Sequence, residues 1–130
     1  MADYTVQRID EIEAMAGGGM RRARSALGVT SFGMQVLELP ANLERYPEHD
    51  HAEAGMEEVY VVLRGGGEIE IDGERVPLDT ETIIRVGPEA KRKIWPGPDG
   101  MRVLALGGVP ERAYEVRKFT EVGQPDPFAS

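Results

Sequence analysis

Two histidines and one glutamate have the side-chain types and the spacing of a metal site. His49 and His51 are the only histidines in the chain, and they lie two positions apart, just before an apolar run. In an extended segment, side chains at i and i+2 point to one face about 6.6 Å apart, so both imidazoles can reach one ion. Glu58 begins the strand-like run and adds a carboxylate. Two histidines and one carboxylate, with coordination positions left open, form a facial metal-binding set.

Plainer interpretations of the same residues are also open. A pair of histidines in a loop is commonly a surface feature without a ligand. The adjacent Glu57 is an alternative inward carboxylate, although alternation along the run favours Glu58. In that register Tyr60 and Val62 also face inward. The outward face is apolar as well, since it carries Val59, Val61 and Leu63.

The stretch from 49 to 65 resembles the first conserved motif of the cupin superfamily, which reads His-x-His, a short gap, Glu, six residues and Gly. His49 and His51 match its start, and Glu58, six residues and Gly65 match its end. The gap between His51 and Glu58 is six residues, where the family usually has three or four. The resemblance covers about residues 31–108 and is greatest to small single-domain bacterial cupins of unassigned activity. It implies an all-β, double-stranded β-helix (jelly-roll) barrel.

The second cupin motif normally reads Pro-Gly-x-x-His and supplies a fourth ligand. It falls on residues 88–92, where Arg92 stands in place of the histidine. A guanidinium has no acceptor lone pair and cannot be a ligand, which leaves either a three-ligand site or no metal. Arg92 then either binds an anionic substrate bidentately or pairs with Glu58. With Tyr60, which either lines the barrel mouth or fills the core, Arg92 forms the candidate catalytic set.

The composition fits one small domain and excludes several functional classes. A chain of 130 residues suits a single core, and a net charge of −8 disfavours a nucleic-acid partner. The lack of cysteine excludes disulfides, thiolate metal sites and a cysteine nucleophile. No basic and apolar leader precedes the first elements, and no apolar run approaches ~18 residues. These features predict a cytoplasmic protein with no membrane partner.

Turn signals divide the chain into about eight short strands, which predicts an all-β fold. The expected parts are an N-terminal extension over residues 1–30, a barrel over 31–108 and a tail over 109–130 that ends loosely at 125–127. Within the extension, the spacing of the apolar residues predicts a short helix over 10–15, and a basic edge strand follows over 20–27.

Two glycine-rich clusters in the barrel are expected to interrupt the strands. The glycines at 65–67 should end the strand that carries Glu58, and a turn is expected over 96–100. The pair Asp72 and Gly73 predicts a hairpin that places Val76 opposite Ile69.

Two functions are consistent with these features. The first is a metal-dependent cupin enzyme with iron, manganese, nickel or zinc on His49, His51 and Glu58, whose open positions suit oxygenase chemistry. The second is a non-catalytic module without metal, in which Arg92 holds a small anion. In either case a homodimer is expected, because the two-sided apolar run 59–63 needs a cover on its outer face.

Overall fold

The computed structural model describes residues 2–128 and shows an antiparallel sheet of seven strands that folds around a core. The strands are β1 (Ala14–Met15), β2 (Met20–Arg21), β3 (Gly33–Leu39), β4 (Glu57–Ile71), β5 (Glu74–Leu78), β6 (Ile83–Val86) and β7 (Arg92–Gly108). Helical structure is limited to α1 (Ala23–Leu27) and two 3-10 helices, Ile9–Glu11 and Lys118–Thr120. The predicted all-β class with a short N-terminal helix is confirmed. None of the helices in residues 2–128 has the length and apolar character that a membrane crossing requires.

The sheet is organised around the two longest strands, β4 and β7. The strand order is β1-β2-β3-β7-β4-β5, and β6 pairs with residues 58–61 of β4, on the edge opposite β7 and ahead of the part that pairs with β5. The predicted alternation in β4 is confirmed, because Tyr60 and Val62 are buried while Leu63 is exposed. The predicted hairpin is also confirmed, with Ile69 paired to Val76. The inward side chains form the main core, which includes Leu37, Leu39, Tyr60, Val62, Ile69, Leu78, Ile94 and Val103.

The expectation that glycine clusters end strands is wrong. β4 runs on to Ile71, and β7 passes through the Pro- and Gly-rich stretch 96–100 without a turn. The two strands bulge and approach closely here. A Cβ on Gly65 would lie 2.0 Å from the Gly100 carbonyl oxygen, and one on Gly67 would lie 2.3 Å from that of Trp95. The glycines therefore allow the two bent strands to stay paired at close range, which is why the sheet has fewer and longer strands than expected.

The N-terminal elements also differ from the prediction. The helix expected over 10–15 is a 3-10 turn at Ile9–Glu11 followed by β1, and the edge strand expected over 20–27 is β2 followed by α1. Ile9 and Ile12, whose spacing suggested the helix, instead pack with Ala23 against Val36 on the outer face of β3. Packing against β3 has therefore outweighed the helical preference that the spacing of the apolar residues suggested.

The C-terminal end is held in place, contrary to the expected loose tail. The buried Arg22 guanidinium donates from Nη1 to the Gln124 carbonyl at 2.7 Å and from Nη2 to that of Pro125 at 3.3 Å. The backbone N–H of Ala16 donates to Asp126 Oδ2 at 2.8 Å. A buried guanidinium needs acceptors, and the tail carbonyls supply them.

Candidate metal centre

The two histidines lie on a loop that the backbone attaches to β7. His49 and Arg92 form an isolated antiparallel bridge, with N–H to carbonyl distances of 3.0 and 2.8 Å. The His51 N–H donates to the Pro88 carbonyl at 2.8 Å. These main-chain bonds position both imidazoles against the inner face of the barrel, opposite the start of β4.

His49, His51 and Glu58 come together as the sequence predicted. Their candidate ligand atoms lie within 4.8 Å of one another, and all three side chains are half-buried. Nε2 of His51 is 3.0 Å from Glu58 Oε1. The two imidazole centroids are 5.0 Å apart with the ring planes at 82°, so the rings converge on one region from different directions.

The hydrogen bond of the His49 imidazole leaves its second ring nitrogen available for an ion. Nδ1 of His49 is 2.9 Å from the Pro47 carbonyl oxygen, which can only accept. Nδ1 therefore carries the hydrogen, and Nε2 keeps its lone pair, as in metal-bound histidines. Within residues 2–128, the buried Nε2 of His51 makes no hydrogen bond of good geometry, although a carboxylate oxygen lies beside it. This donor set fits a divalent ion.

Glu58 is held as a carboxylate by its neighbours. Burial raises the pKa of Glu58, but the His51 ring, the Tyr60 hydroxyl and the Arg92 charge outweigh burial, so the pKa lies below its ordinary value. The Tyr60 hydroxyl donates to Glu58 Oε1 at 2.5 Å. Burial, with the charge of Glu58 nearby, raises the pKa of Tyr60, so this phenol remains a donor.

Arg92 is fully buried and points toward the same region. Ile94, two residues further along β7, is also buried and belongs to the main core. Nη2 of Arg92 donates to the Gly87 carbonyl at 3.0 Å. Its Nε lies 4.0 Å from Glu58 Oε1, at the limit of an ion pair and too far for a hydrogen bond. Nε and Nη1 have no hydrogen-bond partner in the described chain. An anion beside Glu58 would satisfy a donor that the protein leaves open.

Sequence reasoning did not identify every side chain near the site. The Tyr46 ring lies 5.9 Å from the His49 ring, and burial raises the pKa of its hydroxyl. Tyr114, from the C-terminal segment, lines a cavity that reaches Glu58. Neither tyrosine belongs to a motif, and only folding brings Tyr114 close to Glu58, which precedes it by more than fifty residues.

Comparison with known proteins identifies the fold. No family model and no curated protein matches the sequence. Among solved structures, a cupin protein from Bacteroides fragilis aligns over 96% of this chain and 100% of its own, with 24% identity and a TM-score of 0.68. The chain has the cupin fold.

Other cupins share this architecture but differ in activity. A sugar phosphate isomerase from the cupin superfamily of Silicibacter pomeroyi is 18% identical, with coverage of 79% and 74% and a TM-score of 0.67. A salicylate 1,2-dioxygenase from Pseudaminobacter salicylatoxidans is 14% identical, covers 59% of this chain with 21% of its own, and has a TM-score of 0.52. Similarity at these identities establishes the fold and leaves the activity to the site residues.

Proposed function

We propose that this cupin is a metal-dependent enzyme, of oxygenase or related type, that acts on a small anionic molecule. The observation that carries the proposal is the convergence of two imidazoles and one carboxylate within 4.8 Å, with His51 Nε2 facing Glu58 Oε1 at 3.0 Å. His49, His51 and Glu58 would hold iron, manganese, nickel or zinc. When bound, such an ion supplies Lewis-acid or dioxygen chemistry at its open positions. Structurally similar cupins include a dioxygenase and an isomerase, which is compatible with either reaction type.

Two further residues assist the proposed site. Arg92 binds the anionic group of the substrate through the donors that lack partners, and its fixed charge orients that group next to Glu58. Tyr60 is a positioning residue, since its hydroxyl fixes Glu58 through the 2.5 Å hydrogen bond. Outer contacts of this kind orient a metal ligand and preserve its charge.

Metal content is the decisive measurement. Protein purified without a histidine tag should contain about one divalent ion per chain by elemental analysis, and Glu58→Gln or His51→Ala should lower that content about tenfold or more at limiting metal. Glu57→Gln is the matched control, because this adjacent carboxylate faces outward and pairs with Arg85 at 2.7 Å. If the wild-type protein stays metal-free after dialysis against iron, manganese, nickel and zinc, the proposal is wrong.

A second candidate function is an anion-binding module that does not catalyse a reaction. It is favoured by the open Nε and Nη1 donors of Arg92, which need an anion whether or not a metal is present. Calorimetry with small carboxylates on metal-free protein, together with oxygen consumption by the iron-loaded protein, separates the two functions. Strong metal-free binding without oxygen consumption would favour the module.

A further inference from the structure

A row of two glycines extends the inner face of the sheet away from Glu58. Glu58 on β4 pairs with Gly107 on β7, and Gly107 pairs with Gly33 on β3. Directly paired residues in an antiparallel sheet place their side chains on the same face. Beside Glu58, the inner face of the sheet therefore carries no side chain on either of the next two strands.

Two side chains from outside the sheet lie on this glycine row. A Cβ on Gly33 would come within 2.9 Å of the Tyr114 hydroxyl oxygen, and a Cβ on Gly107 would come within 2.9 Å of Met56 Sδ. Tyr114 belongs to the C-terminal segment, and Met56 immediately precedes β4. The glycines thus make room for a cover that the protein supplies from two distant segments.

The cover leaves a cavity of about 100 Å³ that reaches Glu58. Most of its lining surface is apolar, with Met20, Met34, Ala105 and Phe119, and the polar residues Gln35, Arg117 and Thr120 also line it. A cavity of roughly 150 Å³ is known to hold one benzene molecule, and pockets for larger ligands begin at about 300 Å³. The space beside Glu58 therefore suits an apolar group smaller than a benzene ring.

We propose that this slot holds the body of the ligand, that the ligand is a short aliphatic carboxylate, and that Tyr114 is the residue that excludes aromatic acids. The inference rests on the proposed function, because it places the carboxylate at the metal and at Arg92. The apolar walls then receive the short carbon chain over Gly33 and Gly107. The Tyr114 ring limits the space in the slot, since it lines the slot and lies against Gly33.

The test is calorimetric titration of the nickel-loaded full chain with propionate and with benzoate. Wild-type protein should bind propionate at least about tenfold more tightly, because an apolar pocket discriminates by about that factor for small differences in size. Tyr114→Ala should open the slot and remove this preference by tightening benzoate binding. Val116→Ala is the matched control, since Val116 lies in the same segment, is exposed and does not line the cavity.

A second variant tests the slot by changing Gly107, which lines it from β7. Gly107→Ala would place a methyl group in the slot against the flexible end of Met56, and it should weaken propionate binding while metal content stays at the wild-type level. This variant decides the matter if Tyr114→Ala does not fold, which circular dichroism would show.

Metal content, measured on the same samples, separates the two proposals. Protein that binds nickel but does not distinguish propionate from benzoate, or whose preference is unchanged in Tyr114→Ala and Gly107→Ala, overturns the slot and leaves the proposed metal site intact. Protein that takes up no nickel but still prefers propionate in a Tyr114-dependent manner supports the slot and overturns the metal-dependent function.

Discussion

At the scale of single residues, Arg92 distinguishes this chain from the cupin pattern that its sequence resembles. A guanidinium stands where that pattern has a fourth ligand, and its backbone still pairs with His49. The side chain is fully buried, yet only its Nη2 donates a hydrogen bond in the described chain. The Glu58 carboxylate, 4.0 Å from Nε, lies at the limit of an ion pair, and we propose that a ligand anion satisfies the two open donors.

Replacing Arg92 should therefore separate anion binding from metal binding. We expect Arg92→Ala to weaken carboxylate binding by about 2–3 kcal/mol, the range of a hydrogen bond to a charged group in a desolvated site, with metal affinity largely retained. Arg92→His should tighten metal binding, because it restores the fourth ligand as a third imidazole, and should also remove anion selectivity. Metal and carboxylate titrations check both outcomes.

Lys93→Ala is the matched control for Arg92. This substitution removes one positive charge at the residue that follows Arg92 in β7. Nζ of Lys93 points away from the site and donates to the Glu44 carbonyl at 2.7 Å. If Arg92→Ala and Lys93→Ala have the same effect on carboxylate binding, the charge acts only at long range and the assigned role of Arg92 is wrong.

At the scale of elements, β4 and the hairpin that follows it depend on glycine for two separate reasons. Gly65 has a φ of +77°, and its missing Cβ leaves space that the Gly100 carbonyl oxygen occupies. Gly73, in the hairpin between β4 and β5, has a φ of +89° but no atom within 4 Å of a built Cβ. Both positions have a positive φ, which favours glycine. Only Gly65 also lacks the space for a Cβ atom.

Substitution by alanine should reveal that difference. Gly65→Ala is expected to lower the free energy of unfolding by at least about 3 kcal/mol, since the backbone strain of about 1–3 kcal/mol adds to a clash that bent strands cannot relieve. Gly73→Ala should lower it by only about 1 kcal/mol, from the strain alone. Urea denaturation measures both values, and equal losses would show that the close approach has no energetic role.

Charged side chains join the strands of the N-terminal hairpin to the barrel. Glu38 on β3 accepts from Arg102 Nε at 2.7 Å and from Arg21 Nε at 2.9 Å. The hydrogen bond from Arg102 lowers the pKa of Glu38, burial opposes it, and Arg21 lowers it further. The network therefore ties β2, β3 and β7 together through one carboxylate.

The lowered pKa of Glu38 makes this contribution dependent on pH. The folded state holds its proton less tightly than the unfolded state, so the stabilisation is complete above the unfolded pKa of about 4.3 and is lost as pH falls through the lower folded value. Glu38→Gln should lower the free energy of unfolding by about 1–2 kcal/mol at pH 7 and by progressively less as the solution is acidified. The control is Glu68→Gln, whose exposed ion pair with Arg75 at 3.2 Å should contribute little. Thermal unfolding from pH 7 to 3 measures the difference, and a constant cost would contradict the assignment.

At the scale of the whole molecule, the outer face of the sheet is covered on one side and open on the other. The N-terminal extension covers Val36 on β3, where Ile12 and Ala23 pack against it. Within residues 2–128, nothing covers the neighbouring outer face of β4 and β6 in this way, and Leu63 and Ile83 are 39% and 71% exposed. Apolar faces of this kind mark contact surfaces, and a second copy of the chain is the occupant that we propose.

Light scattering at micromolar concentration should accordingly give twice the monomer mass. Ile83→Glu should yield a monomer, because a charge at the centre of the interface would lose its hydration. Val6→Glu is the control, since Val6 is 76% exposed on the N-terminal segment and lies outside that face. A wild-type monomer would contradict the homodimer. The cytoplasmic location and the division into residues 1–30, 31–108 and 109–130 stay predictions from the sequence.

The sequence by itself determined the features that depend on neighbouring residues. The spacing of His49, His51 and Glu58 predicted a metal-ligand set, and alternation along β4 assigned its inward face, because strand geometry relates residues two positions apart directly. The hairpin that pairs Ile69 with Val76 likewise followed from its two turn residues.

Only the tertiary structure decided what depends on contacts between distant segments. A glycine cluster is found both in turns and where two paired strands approach closely. Which of the two it marks depends on the strand that packs against it, as Gly100 packs against Gly65. The closure of the slot by Tyr114, the tail bound by Arg22 and the open donors of Arg92 likewise arise from residues far apart in the chain. Burial and the presence of a hydrogen-bond partner are properties of the packed chain, and no local pattern encodes them.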